Sequence, residues 1–216
     1  MSEARAVVLE RIVKAKGASG SLSEVEQMWE RMPRGYRVAG ERDRASVLEL
    51  FEDRLRDYDA TVVRCTAARV AETLRSVLVA AGVRRVGVPE RIDLALPEGF
   101  EFVTDEGMPA AELNEMDGVL TRCGLAIAET GTLVLQSAAG QGRRALTLVP
   151  DVHVCVVRAR DVVETVPEAF ARLAATATLP TTFVSGPSAT ADIEMTRIKG
   201  VHGPRFLHVV LVEDYG

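Results

Sequence analysis

The chain has 216 residues, of which 47% are hydrophobic and 26% charged, and its 26 Lys and Arg stand against 31 Asp and Glu for a net charge of -5. That size supports one substantial domain, or a core domain with an extension, and the composition is that of a folded globular protein without a long disordered tract. The acidic balance gives no general attraction to nucleic acid or anionic lipid, so neither is an expected partner.

No apolar run approaches a bilayer span, and the N-terminal segment mixes charges through its apolar positions, so the expectation is a cytoplasmic protein with no membrane span. Cys65, Cys123 and Cys155 are widely separated among apolar neighbours, with no CxxC pair. They read as buried free thiols, and no iron-sulfur cluster or structural zinc is expected in this chain.

In chain order, residues 3–16 space Ala6, Val7, Leu9, Ile12 and Val13 as an amphipathic helix, and Gly17 to Gly20 break it. A short helix is predicted at 23–31, with Ser23 and Glu26 at capping-box spacing, and Trp29 and Tyr36 are expected to pack against the core. Val47, Leu48, Phe51, Leu55 and Tyr58 recur at helical spacing within 41–59. Residues 60–65 read as a buried strand, 67–81 as a helix and 84–88 as a second strand, an order that signals a parallel α/β unit.

A further strand is predicted at 100–103, and the run 118–136 reads as two apolar segments broken at Glu129, Thr130 and Gly131. Residues 143–148 suit a helical turn, HVCVV a buried strand and 160–175 a helix. TTFVS, a polar loop and the strand FLHVVLV complete the chain. The domain reading is a helical N-terminal extension over 1–59 and an α/β domain over 60–216.

Two segments carry the chemistry. In ETGT, residues 129–132, a Gly bend between hydroxyls can expose backbone N–H groups to a phosphate or carboxylate, or can simply close a hairpin. Glu129, Thr130, Gly131 and Thr132 are therefore ligand-binding candidates. In SGPSATADIEMTRIKGVHGP, residues 185–204, Pro187 is placed to open a helical turn that leaves Ser188 and Thr190 near free N–H groups.

Gly186, Ser188, Thr190 and Gly203 join the ligand-binding set, while Asp192, Glu194 and His202 are the acid/base candidates. Their spacing matches no standard zinc pattern, so no metal is assigned. His153 and His208, inside apolar runs, read as structural. The two arginines of QGRRA, at 143 and 144, can grip an anion or form a solvated turn. No GxGxxG follows the first strand and no GxxxxGK[ST] occurs, which leaves dinucleotide and P-loop readings without their phosphate-binding parts. If the two loops share a pocket, open α/β sheets would place it at the carboxyl ends of the strands.

AIAETGTLVL, LVPDVHVCVV, SGPSATADIE and GVHGP, taken together in this order, resemble the lactate utilization protein C family of LUD-domain proteins, and the likeness runs over nearly the whole chain. Ala189 departs from it, standing where many relatives carry a basic or polar residue. The resemblance implies a fold related to the NagB/RpiA/CoA-transferase group and to the 5-formyltetrahydrofolate cyclo-ligases, an open α/β sheet flanked by helices.

It also implies participation, with separate iron-sulfur lactate-utilization subunits as partners, in the oxidation of L-lactate to pyruvate. Two function classes follow: a non-redox subunit binding a small carboxylate or phosphate ligand, or an independent isomerase-, CoA-transferase- or cyclo-ligase-like enzyme acting on a phosphorylated or carboxylated metabolite. The cofactor is unknown, and a homo-oligomer stays open.

Overall fold

The computed structural model describes residues 3–16, 21–191, 197–199 and 203–213, and it divides into two compact units, Met1–Tyr36 and Arg37–Gly216. Asp192, Glu194 and His202 lie outside the described residues.

The first unit holds α1 (Glu3–Lys16) and α2 (Leu22–Arg31). The capping box of α2 is Ser21 with Glu24, not Ser23 with Glu26: Glu24 N–H donates to Ser21 Oγ at 3.3 Å and Ser21 N–H to Glu24 Oε2 at 2.6 Å. Trp29 and Tyr36 both belong to this unit. The Arg34 guanidinium lies 4.9 Å from the Trp29 ring centroid and donates to the Trp29 carbonyl, covering one face of the indole from within the unit.

The second unit is built on a parallel sheet of six strands, ordered β1-β12-β7-β4-β2-β3. Its strands are β1 (Thr61–Cys65), β2 (Arg85–Pro89), β3 (Glu101–Asp105), β4 (Gly118–Arg122), β7 (Val152–Arg158) and β12 (Phe206–Val212). β7 and β12 sit in the middle and are buried on both faces, which is why both read as unbroken apolar runs.

Alternate residues go to opposite sides. Val154, Val156, Val210 and Val212 meet Leu74, Val77 and Leu78 of α4 (Val70–Ala80) on one face. Cys155, Val157, Val209 and Leu211 meet Phe51 and Leu55 of α3 (Arg44–Asp57) on the other. Thus α3, which falls inside the 1–59 extension expected from sequence, packs within the second unit. Asp43 caps its start, accepting the Ser46 N–H at 2.9 Å.

A second sheet, ordered β8-β5-β6-β9, comprises β5 (Leu125–Ile127), β6 (Thr132–Gln136), β8 (Val162–Val163) and β9 (Thr181–Ser185). It corrects two expectations. The first apolar segment of 118–136 turns a corner at Cys123 and Gly124, so that β4 stays in the parallel sheet while β5 leaves it to pair with β6. Residues 162–165 are not helical: a 3-10 turn over Ala159–Asp161 ends there, Val162 and Val163 pair with β5, and α6 (Val166–Leu173) starts only at the Thr165–Glu168 capping box with Pro167 in its first turn.

A third correction concerns Pro187. No helical turn follows it; β10 (Ala189–Ala191) and β11 (Arg197–Lys199) form an antiparallel pair instead. The Ser188 N–H is taken by the Pro204 carbonyl at 2.7 Å, which pins the segment in extended form.

Candidate functional site

The ETGT turn and the start of the 185–204 loop are neighbours because β6 and β9 pair antiparallel with Thr132 opposite Ser185. Gly131 has φ 57°, and a Cβ there would lie 2.9 Å from the Arg54 backbone; Gly186 has φ 78°, and a Cβ there would lie 2.5 Å from Tyr58 Cβ. Both bends thus sit against the end of α3, at positions that only glycine fills without strain.

Thr130 Oγ1, Thr132 Oγ1 and Ser185 Oγ form a hydroxyl chain with spacings of 2.6 and 2.7 Å. The Glu129 carboxylate pairs with Arg37, and its N–H donates to the Glu164 carbonyl at 3.1 Å.

Beyond Ser185 the chain walls a cleft of about 210 Å³. Gly186, Ser188, Gly203 and Pro204 line it together with Arg144, Thr147, His153 and Leu207. Gly203 has φ 152°, and its Cα faces Ser188, with an added Cβ at 3.5 Å from the Ser188 Cβ. Glu129, Thr130, Gly131 and Thr132 stand outside this lining.

The cleft opens at the amino ends of the parallel strands, since Gly203 and Pro204 precede β12 and His153 is the second residue of β7. The expectation of a carboxyl-end pocket for these loops is corrected accordingly. The connection into β12 returns to the start of that strand, and β9, at the edge of the second, mixed sheet, delivers its carboxyl end to the cleft.

Three lining residues were not singled out as a set by the sequence. Arg144 and Thr147 fall three apart on the turn over 143–148, where Arg144 Nη1 donates to the Thr147 carbonyl at 3.3 Å and Thr147 Oγ1 to the Arg144 carbonyl at 3.3 Å. That spacing was readable as a shared face; its proximity to residues 185–204 was not.

His153 is 1% exposed, and its Nε2 lies 2.8 Å from Thr121 Oγ1. Burial, reinforced by the Arg144 charge, brings its pKa down to about 4. A neutral imidazole therefore stands behind a charged guanidinium. Where Thr121 Oγ1 donates to Cys155 Sγ, at 3.7 Å, its oxygen accepts from Nε2–H and the ring lone pair is left on Nδ1.

Among the described residues the lining thus offers one cation, Arg144, beside hydroxyls and a neutral imidazole. Among the described residues no group of three His, Cys, Asp or Glu is placed to hold a metal ion. The three thiols are buried in the core.

A second, larger cleft of about 520 Å³ lies at the carboxyl ends of β2 and β3, lined by Glu90, Arg91, Asp105, Glu106 and Arg143. Arg143 is partly exposed but not free to swing: its Nε and Nη2 grip Asp105 at 2.8 and 2.9 Å. Burial pushes the Asp105 carboxyl up, but Arg143 and the N–H groups of Met108 and Gly107 outweigh it and hold the group below the usual carboxylate range.

The LUD domain family matches residues 2–212 of the chain. Lactate utilization protein C of Deinococcus radiodurans is 45% identical over 181 residues, which cover 82% of this chain and 84% of that protein. Lactate utilization protein C of an Exiguobacterium species is 29% identical over 223 residues, covering 95% and 94%. The crystal structure of a DUF162 family protein from Deinococcus radiodurans superposes with a TM-score of 0.70 at 42% identity, covering 80% of this chain and 99% of that one. No helix among the described residues is long and apolar enough to cross a membrane. The chain belongs to the LUD domain family, among the lactate utilization protein C proteins.

Proposed function

We propose that this chain is a non-redox subunit of a lactate-utilization system that, with iron-sulfur partner proteins, oxidises L-lactate to pyruvate. The observation that carries the reading is the 45% identity to a lactate utilization protein C across most of both chains. The cleft at residues 185–204 supports it from the side of chemistry. At about 210 Å³ it is smaller than the usual drug-sized pocket and suits a small hydroxy or keto acid, whose carboxylate would meet Arg144. Ser188 and Thr147 would orient the ligand, and His153 Nδ1 would accept a hydrogen bond from its hydroxyl.

Asp192, Glu194 and His202 follow on the same loop and are the residues we assign to proton transfer, with Thr190 and Gly203 shaping the approach. Electron transfer belongs to the partners in this reading, since the chain's thiols are dispersed and buried. The protein works in the cytoplasm in the same reading. The finer fold assignment, to the NagB/RpiA/CoA-transferase-like and cyclo-ligase-like group, is supported by the parallel central sheet with helices on both faces.

Reconstitution tests the function. Lactate-dependent reduction of an artificial acceptor should require this chain together with the iron-sulfur proteins and fall to background when it is omitted. A rate unchanged by its omission would remove it from the reaction.

A further inference from the structure

Between the start of α3 and α6 a cleft of about 390 Å³ shares no residue with the one assigned to lactate. Its floor is apolar, formed by Val47, Val162 and Val163, all buried. Its two carboxylates are already engaged. Glu164 accepts the Arg42 N–H at 2.8 Å, Arg42 Nη1 at 2.7 Å and Arg37 Nη1 at 3.0 Å. Glu168 accepts the N–H groups of Gly40, Glu164 and Thr165 at 3.0, 2.9 and 2.9 Å.

Arg44 and Arg172 have no such counter-charge. Arg44 Nη1 donates to the Val162 carbonyl at 2.7 Å and Arg172 Nη1 reaches the Arg160 carbonyl at 3.5 Å, but among the described residues neither forms an ion pair. Partial burial makes the Arg44 charge less favourable, and the field of Arg172 adds to this, with Asp161 opposing both from beyond ion-pair range. Arg44 also occupies the first turn of α3, where the helix dipole disfavours a cation.

We propose that Arg44 and Arg172 form a binding site for the phosphate group of a small ligand. Two guanidinium forks over an apolar floor match a tetrahedral anion that carries between one and two charges at neutral pH and presents several acceptor oxygens. A single carboxylate would neutralise only one of them. The helix N-terminus adds no independent anion site, because Asp43 already occupies it. The volume leaves room beside the phosphate for the group it esterifies, so inorganic phosphate and a phosphate ester are both admissible sources of the same chemistry.

The test uses the full chain in calorimetric titration and thermal unfolding with inorganic phosphate, pyrophosphate and metal-free ATP, against potassium chloride at equal ionic strength. At least one phosphate probe should bind and raise the unfolding temperature where chloride does not. Arg44→Gln and Arg172→Gln should each weaken that binding about tenfold. Arg85→Gln, an exposed arginine paired with Glu101, should leave it unchanged.

Arg172→Gln keeps the test independent of folding, since among the described residues the Arg172 side chain makes just the 3.5 Å contact with the Arg160 carbonyl. Saturation by phosphate alone points to the free ion, and binding of ATP alone to an ester. Absence of any phosphate effect beyond chloride, or equal binding by Arg172→Gln, would overturn the site. Neither result bears on whether the chain is needed for lactate oxidation.

Discussion

Thr132 and Ser185 face each other in register across β6 and β9, and their hydroxyls meet at 2.7 Å. This bond joins the ETGT turn to the bend that opens the candidate cleft. Thr132 also bonds Thr130, so the hydroxyls of ETGT are engaged with one another while the residues after Ser185 form the wall. The two segments are thus coupled in structure even though only one of them lines the cleft.

The glycine at 186 holds that bend against α3. Gly186→Ala should destabilise the protein by about 2–4 kcal/mol in urea unfolding, combining the left-handed backbone cost with overpacking on Tyr58. Gly82→Ala, with φ 69° and open space around its Cα, should cost only about 1 kcal/mol. Equal losses would show that the Tyr58 contact is not what requires glycine.

Arg143→Ala strands the Asp105 carboxylate, whose side chain is 2% exposed, and should cost about 2–3 kcal/mol. Asp105 is held below its unfolded value, so the stability it contributes is complete above about pH 4 and is lost as pH falls through the lower folded value. Urea unfolding from pH 7 to 3 should show the native protein losing more stability than Asp105→Asn in the acid part of that range. Parallel curves would contradict this.

His153 has the same sign for a different reason. Its folded pKa of about 4 lies below the value near 6.5 for an exposed histidine, so the unfolded state takes up the proton first. Its contribution is complete above about pH 6.5 and falls away down to about pH 4, by roughly 3 kcal/mol. His153→Gln should flatten that stretch of the stability curve, and an imidazole NMR titration should find the ring neutral at pH 5.5. A midpoint near 6.5 would contradict the burial.

Much of the frame was legible because its signals are local. Runs such as HVCVV and FLHVVLV betray strands buried on both faces, and Val47, Leu48, Phe51 and Leu55 mark the inward side of α3. The corner at Cys123 and Gly124 was hidden, because a change of sheet leaves hydrophobicity uninterrupted. Residues 162–165 read as helix, but pairing of Val162 and Val163 with β5 overrides propensity. Asp105 carries no local signal of burial, since its partner Arg143 arrives 38 residues later. Arg144 and His153 likewise reach residues 185–204 only through the fold.

Arg144→Gln removes the cation of the candidate cleft while leaving Thr147 and His153 in place. Lactate or pyruvate binding should weaken about tenfold in calorimetric titration, with stability changed by less than about 0.5 kcal/mol because the side chain is exposed. Unaltered affinity would move the carboxylate elsewhere.

The non-redox assignment is tested most directly by steady-state assay of the purified chain alone with L-lactate and an artificial electron acceptor. The account expects no turnover above the protein-free rate, even when the same preparation supports lactate oxidation once the iron-sulfur proteins are added. Sustained pyruvate formation by the isolated chain would contradict it.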